Sequence, residues 1–315
     1  MTTAKIGLML PTHAPRDQPL SPDFPGRTAE WAEQQGFDAL WAGDHIVHPW
    51  QFMESLVTLS FASARTRNCG IGTCMLLLPM RQLSIAAAQI ATLATLSNGR
   101  FNLGVGIGGE WPKEWQAAGI STTERGARLE EALPLLRRLC AGEVVEFKGR
   151  FNDFSDFKLG PTPPRMPLYL AGQAPAALER AGRHGDGWIG FFRTPAGFKR
   201  DSAAIDEARE RAGRADKAFE RGMLLPFHLE ADESAAVERA VALNFGFPKE
   251  LQMGGTTEQL KRFSLIGSAE TIRRRIGEYV EAGCRTFVFS PMEKGNQTYQ
   301  EQVEMLAAEI LHRVG

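Results

Sequence analysis

Only four cysteines occur in 315 residues, Cys69, Cys74, Cys140 and Cys284, and no two form a C-x-x-C pair. That spacing argues against a disulfide framework or a cysteine zinc site and fits a reducing compartment, the cytoplasm. Charge of one sign is also lacking. The 36 Lys and Arg stand against 37 Asp and Glu, so neither nucleic acid nor an anionic membrane surface is an expected partner. No apolar run approaches the ~18 residues a membrane span needs. The opening segment MTTAKIGLMLPTH has no charged n-region and no cleavage pattern, so it does not read as a signal peptide. There is no G-x-S-x-G nucleophile motif, no P-loop, no repeat of fixed period and no linker-like stretch. One domain over residues 1–315 is the expectation.

What is present is alternation. Short apolar runs at Ile6–Leu10, Phe37–Trp41, Gly70–Leu77, Arg100–Val105, Pro167–Ala171, Gly187–Phe191, Met223–Leu229 and Thr286–Ser290 read as strands. Between them lie segments with helical spacing: Thr28–Gln35, Ser55–Arg65, Ser84–Leu96, Arg125–Cys140, Pro175–Gly182, Phe198–Ala212, Ala269–Glu281 and Tyr299–His312. Strands that alternate with helices form a parallel sheet covered by helices. About eight β/α pairs favour closure into a (β/α)8 TIM barrel over an open sheet. The strands are apolar without a period of two, as burial on both faces requires. Two stretches, Gly142–Met166 and Asn244–Leu265, have little periodicity and read either as functional loops or as surface decoration. Ser55–Arg65 and Ser84–Leu96 are more apolar than one barrel face needs, which predicts self-association as a homodimer.

Polar residues just after a barrel strand sit at the functional end. Asp44-His45 follows the second strand, where a carboxylate and an imidazole together can hold a cofactor edge and handle protons near neutral pH. The same pair also reads as a capping Asp beside an exposed His. Gly104-Val-Gly-Ile-Gly-Gly109-Glu110 follows the fourth strand but is a poor dinucleotide fingerprint, since Trp111-Pro112 come next. Its glycines imply either close approach to a ring or phosphate, or a tight turn. Ala171-Gly172-Gln173-Ala-Pro175 leads from strand to helix and can aim N–H groups at a phosphate. His45 and His48 are three residues apart, but Pro49 breaks any helix and no further ligands follow, so no metal site is expected.

Together these segments resemble the luciferase-like monooxygenase superfamily. The likeness spans nearly the whole chain, and its most specific part is the run Leu96-Ser-Asn-Gly-Arg-Phe-Asn-Leu-Gly-Val-Gly-Ile-Gly108. Gly36-Phe-Asp-Ala-Leu-Trp-Ala-Gly-Asp-His45, Gly72-Thr-Cys-Met75, Pro161-Thr-Pro163, Gly185-Asp-Gly-Trp188 and Ile266-Gly-Ser-Ala-Glu270 follow the same order. The resemblance implies a barrel that binds coenzyme F420 or FMN at its mouth. Asp44-His45, Pro49-Trp50 and Glu110 look more like the F420-dependent branch, although Gly108-Gly109 shifts Glu110 by one position and Gly172-Gln173 replaces the commoner double glycine.

The resemblance further implies His45, Asp44 and Glu110 as catalytic residues. Asp44, Thr73, Cys74, Met75, Gly106, Ile107, Gly108, Ala171, Gly172 and Gln173 would hold the cofactor, with a non-proline cis peptide between Cys74 and Met75. Trp50 and Trp111 would wall the pocket of a small-molecule substrate. Three other readings stand beside hydride transfer with F420. They are an FMN-dependent monooxygenase served by a separate reductase, a non-catalytic flavin-binding protein on the same fold, and a metal-dependent barrel hydrolase, for which the ligand set is missing.

Overall fold

The computed structural model describes residues 4–109, 111–243, 256–293 and 295–313. Its barrel strands are β1 (Lys5–Met9), β2 (Ala39–Ala42), β3 (Gly70–Thr73), β4 (Phe101–Val105), β5 (Leu168–Ala171), β6 (Gly187–Phe191), β7 (Glu220–Leu229) and β8 (Thr286–Pro291). Each pairs in parallel with the next, and β8 returns to β1 in the register Lys5↔Thr286 to Leu8↔Phe289, closing the ring. The β3–β4 seam is short, Ile71↔Phe101 and Gly72↔Asn102, because the chain leaves β3 at Cys74 and touches β4 again only at Leu76↔Val105. The barrel expected from the strand count is therefore present.

The helices that follow the strands are α1 (Phe24–Gln35), α2 (Ser55–Arg65), α3 (Leu83–Leu96), α4 (Arg125–Cys140), α5 (Pro175–His184), α6 (Pro195–Arg211), α7 (Ala269–Glu281) and α8 (Asn296–Leu306). Local chemistry sets their limits. α1 takes Pro25 in its first turn and stops at Gly36, whose φ of 92° is a left-handed cap. α7 starts where the Ser268 hydroxyl accepts the N–H of Thr271 at 3.3 Å.

The core has two layers. Leu, Ile, Phe and Ala side chains from the strands' outer faces meet the helices. Inside the barrel, Met9, Trp41, Cys74, Tyr169, Ile189 and Val288 pack together, with the Trp41 and Tyr169 rings edge to face at 5.9 Å. Trp41 fits because its neighbours are small. A Cβ on Gly7 or Gly72 would lie 2.4 or 2.5 Å from its ring.

Three elements depart from the sequence expectation. Gly142–Met166 is not irregular throughout. It holds an antiparallel hairpin, Val144–Lys148 with Asp153–Lys158. Its turn is fastened by Glu131, which accepts the N–H groups of Arg150, Phe151 and Asn152 at 2.8–3.0 Å. The segment starts where α4 ends and finishes where β5 begins, so it is rooted at the end of the barrel opposite the mouth. The seventh strand begins earlier than Met223 and runs on to Leu229, where it pairs with a short extra strand, Leu265–Gly267. Of Asn244–Leu265, residues 244–255 lie outside the described residues, and Thr257–Phe263 is a helix. No helix among the described residues is long and apolar enough to cross a membrane.

Candidate active site at the barrel mouth

Because the strands are parallel, Asp44, Gly106, Ala171 and Ser290 stand at one common end, each at or just past the C-terminal end of its strand. Asp44 is 3% exposed. One of its oxygens accepts the Ser55 hydroxyl at 3.1 Å and the Arg81 guanidinium at 2.7 Å, and the other accepts the Leu77 N–H at 2.9 Å. Arg81 also reaches Glu54 at 2.8 Å. Asp44 therefore ties the loop after β2 to the turn after β3. The charge of Arg81 is answered by two carboxylates.

His45, next in sequence, points elsewhere. Its Nδ1 lies 3.2 Å from both carboxylate oxygens of Glu114, and the N–H of Ile46 donates to the same group at 3.3 Å. Glu114 is wholly buried and sits in a short helix, Pro112–Ala117, that Pro112 starts. A carboxylate can only accept, so Nδ1 carries the hydrogen and the Nε2 lone pair of a neutral His45 is left for chemistry.

Around this pair stands an aromatic box. The His13 ring stacks on Phe52 at 4.8 Å and on Trp50 at 5.5 Å. His48 meets His45 at 4.7 Å, Phe52 at 4.8 Å and Trp111 at 4.7 Å between ring centroids. The loops carrying these rings are bound together. His13–Ala14 pairs with Gln51–Phe52, and Arg16 donates to the carbonyls of His48 and Pro49 at 2.8 and 3.0 Å. Burial first, then the neighbouring His45 and Arg16, push the pKa of His48 down to about 3. Trp50 and Trp111, the two residues expected to wall a substrate pocket, thus share one neighbour, His48.

The peptide bond between Cys74 and Met75 is cis, as the resemblance implies. The Cys74 side chain turns into the barrel core, where burial pushes its thiol up to about 12 and leaves it an apolar filler. Thr73 is buried in the wall, its hydroxyl donating to the Gly104 carbonyl at 2.7 Å and accepting the Gly104 N–H at 3.0 Å. Met75 remains at the opening beside Gly106, where a Cβ would come within 3.1 Å of Met75. Ile107 and Gly108 are partly exposed above it. Glu110 lies outside the described residues.

On the far side, Gly172 has φ 116°, and a Cβ there would lie 2.6 Å from Ala177, so the turn into α5 requires glycine. The Gln173 amide donates to the Phe191 carbonyl, and the Trp188 indole donates to that of Gly172 at 3.1 Å. Ala174 gives α5 no side-chain cap; Pro175 has no N–H and the Ala177 N–H donates to the Ala174 carbonyl at 2.8 Å, so of the first-turn donors the Ala176 N–H remains beside Ala171. An uncapped helix start suits a phosphate, and the small, partly exposed wall at Met75 and Gly106–Gly108 suits a flat ring. The residues present fit a phosphorylated ring cofactor. Among the described residues, no three His, Cys, Asp or Glu side chains form a group that could hold a metal ion.

Glu114, His48, His13, Phe52 and Arg81 were not singled out by sequence as cofactor or catalytic residues. A Pro-initiated turn just past the glycine cluster was the one signal that could have drawn attention to Glu114.

A closed barrel with an imidazole held by a buried carboxylate at the mouth, and an uncapped helix start at the same end, defines a (β/α)8 enzyme that works on a cofactor bound across the strand ends. The chain belongs to the luciferase-like monooxygenase family, whose model matches residues 4–286. It is 31% identical over 295 residues to an F420-dependent glucose-6-phosphate dehydrogenase of Amycolatopsis mediterranei, covering 82% of this chain and 85% of that one. It is 28% identical over 298 residues to a protein of the same description from Kineococcus radiotolerans, covering 84% and 87%. Among solved structures, an F420-dependent secondary alcohol dehydrogenase in complex with an F420–acetone adduct superposes with a TM-score of 0.82 at 25% identity, covering 98% of both chains.

Proposed function

We propose that this chain is an oxidoreductase that moves a hydride between coenzyme F420 and a small organic substrate at the C-terminal mouth of the barrel. The observation that carries the reading is His45, bonded through Nδ1 to a buried Glu114 at the barrel mouth. F420, when bound, supplies the hydride-accepting or hydride-donating carbon. The protein's own part is position and protons. The α5 start and Ala171–Gly172 would hold the phosphate, and Met75 and Gly106–Gly108 would back the ring. His45 accepts or returns the substrate proton at Nε2, and Glu114 fixes the tautomer and the ring angle. Asp44 acts at one remove, locking the turn that carries Met75 to the loop that carries His45. The aromatic box of Trp50, Trp111 and Phe52 keeps water from the proton-transfer line.

Four free cysteines, three of them buried, support a cytoplasmic setting. A homodimer is supported by the outer faces of α2 and α3, where Val57 is 68%, Ile85 56% and Leu96 69% exposed.

Fluorescence titration of the purified protein with oxidised and reduced F420, and in parallel with FMN, tests the cofactor. Saturable F420 binding is expected. Tight FMN binding with no F420 binding overturns the proposal.

A further inference from the structure

His48 has no part in the scheme above, yet it is held more firmly than a loop histidine needs. Its Nδ1 accepts the backbone N–H of Trp50 at 3.0 Å, two residues on. Its ring meets Phe52, Trp50 and Trp111 edge to face. With Nδ1 committed as an acceptor, the one hydrogen of the neutral ring must sit on Nε2. Among the described residues, the charged and titratable groups of the elements packed around it are His45 on its own loop, His13 and Arg16 on the loop after β1, and Glu114 on the loop after β4, which engages His45 rather than His48. Among the described residues, no carboxylate forms a hydrogen bond or ion pair with the His48 ring.

His45 has the complementary arrangement. Its Nδ1 hydrogen faces Glu114, so its Nε2 is bare. The two imidazoles, 4.7 Å apart between centroids and tilted by 39°, therefore carry one Nε2 acceptor and one Nε2–H donor on adjacent rings. A substrate group that both accepts and donates a hydrogen bond at a single atom matches that pair. A hydroxyl oxygen does so; the carbonyl oxygen it becomes only accepts, from His48 Nε2–H and from His45 once Nε2 has taken the proton.

We infer that His48 is a second contact to the substrate oxygen, a fixed neutral donor that pairs with His45 and selects substrates that react at an alcohol or carbonyl carbon. The inference rests on the hydride-transfer reading and names its substrate class. In the oxidative direction the carbon–hydrogen bond breaks and its electron pair leaves as hydride to the coenzyme. The O–H proton passes to His45 Nε2, the C=O bond forms from the electrons of that O–H bond, and His48 Nε2–H stays bonded to the oxygen throughout. His48 exchanges no proton, so its role is distinct from that of His45.

The experiment uses 15N-histidine-labelled full-length protein, with and without F420, and cyclohexanone as the probe. His48 is expected as the Nε2–H tautomer, with no titration between neutral pH and the onset of acid unfolding. Its Nε2–H signal is expected to move as cyclohexanone is added. His48→Phe, which keeps the ring packing but loses the donor, should weaken cyclohexanone binding roughly tenfold, the upper end of what one neutral hydrogen bond is worth. His48→Gln, which keeps a donor, should recover most of that loss, and neither change should alter F420 affinity.

An Nδ1–H tautomer, titration near neutral pH, a His48 signal indifferent to cyclohexanone, or equal binding by wild type and His48→Phe each overturns the inference. If F420 does not bind while the His48 signals behave as described, the cofactor proposal fails and the donor assignment stands.

Discussion

Both carboxylate oxygens of Glu114 lie 3.2 Å from Nδ1 of His45, and the carboxylate is wholly buried. The pair spans two barrel loops, so the imidazole is aimed by a residue 69 positions away in sequence. His45→Ala is expected to lower turnover roughly 10²-fold, the usual scale of general acid–base help, while F420 affinity changes little. Glu114→Gln can still accept through its amide oxygen and should cost less in kcat than Glu114→Ala. Steady-state kinetics with fluorescence-monitored F420 binding distinguish these results. Unchanged turnover in His45→Ala would refute the assignment.

Asp44 holds Arg81, Ser55 and the Leu77 N–H from a buried position. Removing it leaves the Arg81 charge with Glu54 alone and the Leu77 N–H unpaired. Asp44→Ala is therefore expected to destabilise the fold by about 3 kcal/mol, on the scale of breaking a buried pair. Urea unfolding measures this, and a loss below experimental error would mean that the carboxylate is not the anchor of the two loops.

Gly104 stands where β4 touches the turn after β3. A Cβ there would lie 2.0 Å from the Thr73 carbonyl oxygen. Backbone cannot yield as a side chain can, so Gly104→Ala should cost about 1–3 kcal/mol or more by overpacking. The same denaturation experiment reads it, and a neutral result would show that β3 and β4 can separate at that point.

His48 gives the stability a pH dependence of known sign. Its folded pKa is about 3 and its ordinary value 6.5. Between these the unfolded chain binds a proton that the folded chain refuses, so stability falls as pH drops from 6.5 toward 3. The burial-driven contribution is full above 6.5. Thermal melts of wild type and His48→Phe at neutral and mildly acidic pH should show a smaller acid loss in the variant. Equal losses would count against a neutral His48.

The faces of α2 and α3 that point away from the barrel carry Val57, Phe61, Ile85 and Leu96, exposed by 41–69%. If the proposed dimer uses this face, a Phe61→Glu, Ile85→Lys double variant should shift it toward monomer in light scattering without loss of secondary structure. A wild-type monomer at micromolar concentration would refute the dimer itself.

The barrel was legible because its signals are local. Eight apolar runs and the helices between them show their period within a dozen residues, and Ser55–Arg65, Arg125–Cys140, Gly187–Phe191 and Ala269–Glu281 match the structure residue for residue. The hairpin at Val144–Lys148 and Asp153–Lys158 was not legible, because most of its side chains are solvent-facing, the apolar Val144 among them, and its pairing shifts register between Val145 and Phe147. The short strand Leu265–Gly267 forms only because β7 overshoots the barrel. Asp44-His45 was found as a pair, but sequence adjacency suggested a shared task. The structure sends the two side chains to different partners, Arg81 and Glu114, which only tertiary contact could reveal.

The Trp41 and Tyr169 rings fill the barrel's bore, exposed by only 1% and 4%. The bore is thus stoppered below the mouth, and traffic through it is one-ended. A molecule that arrives over the rim must depart over the rim, past whatever arrived before it. With a broad, flat cofactor bedded against the strand ends and a small reactant above it, order of entry becomes a matter of geometry. On the proposed cofactor reading, the cofactor is expected to go in first and the spent reactant to come out before it can be exchanged. The packing of two aromatic rings deep in the barrel thereby bears on the sequence of events in each catalytic cycle.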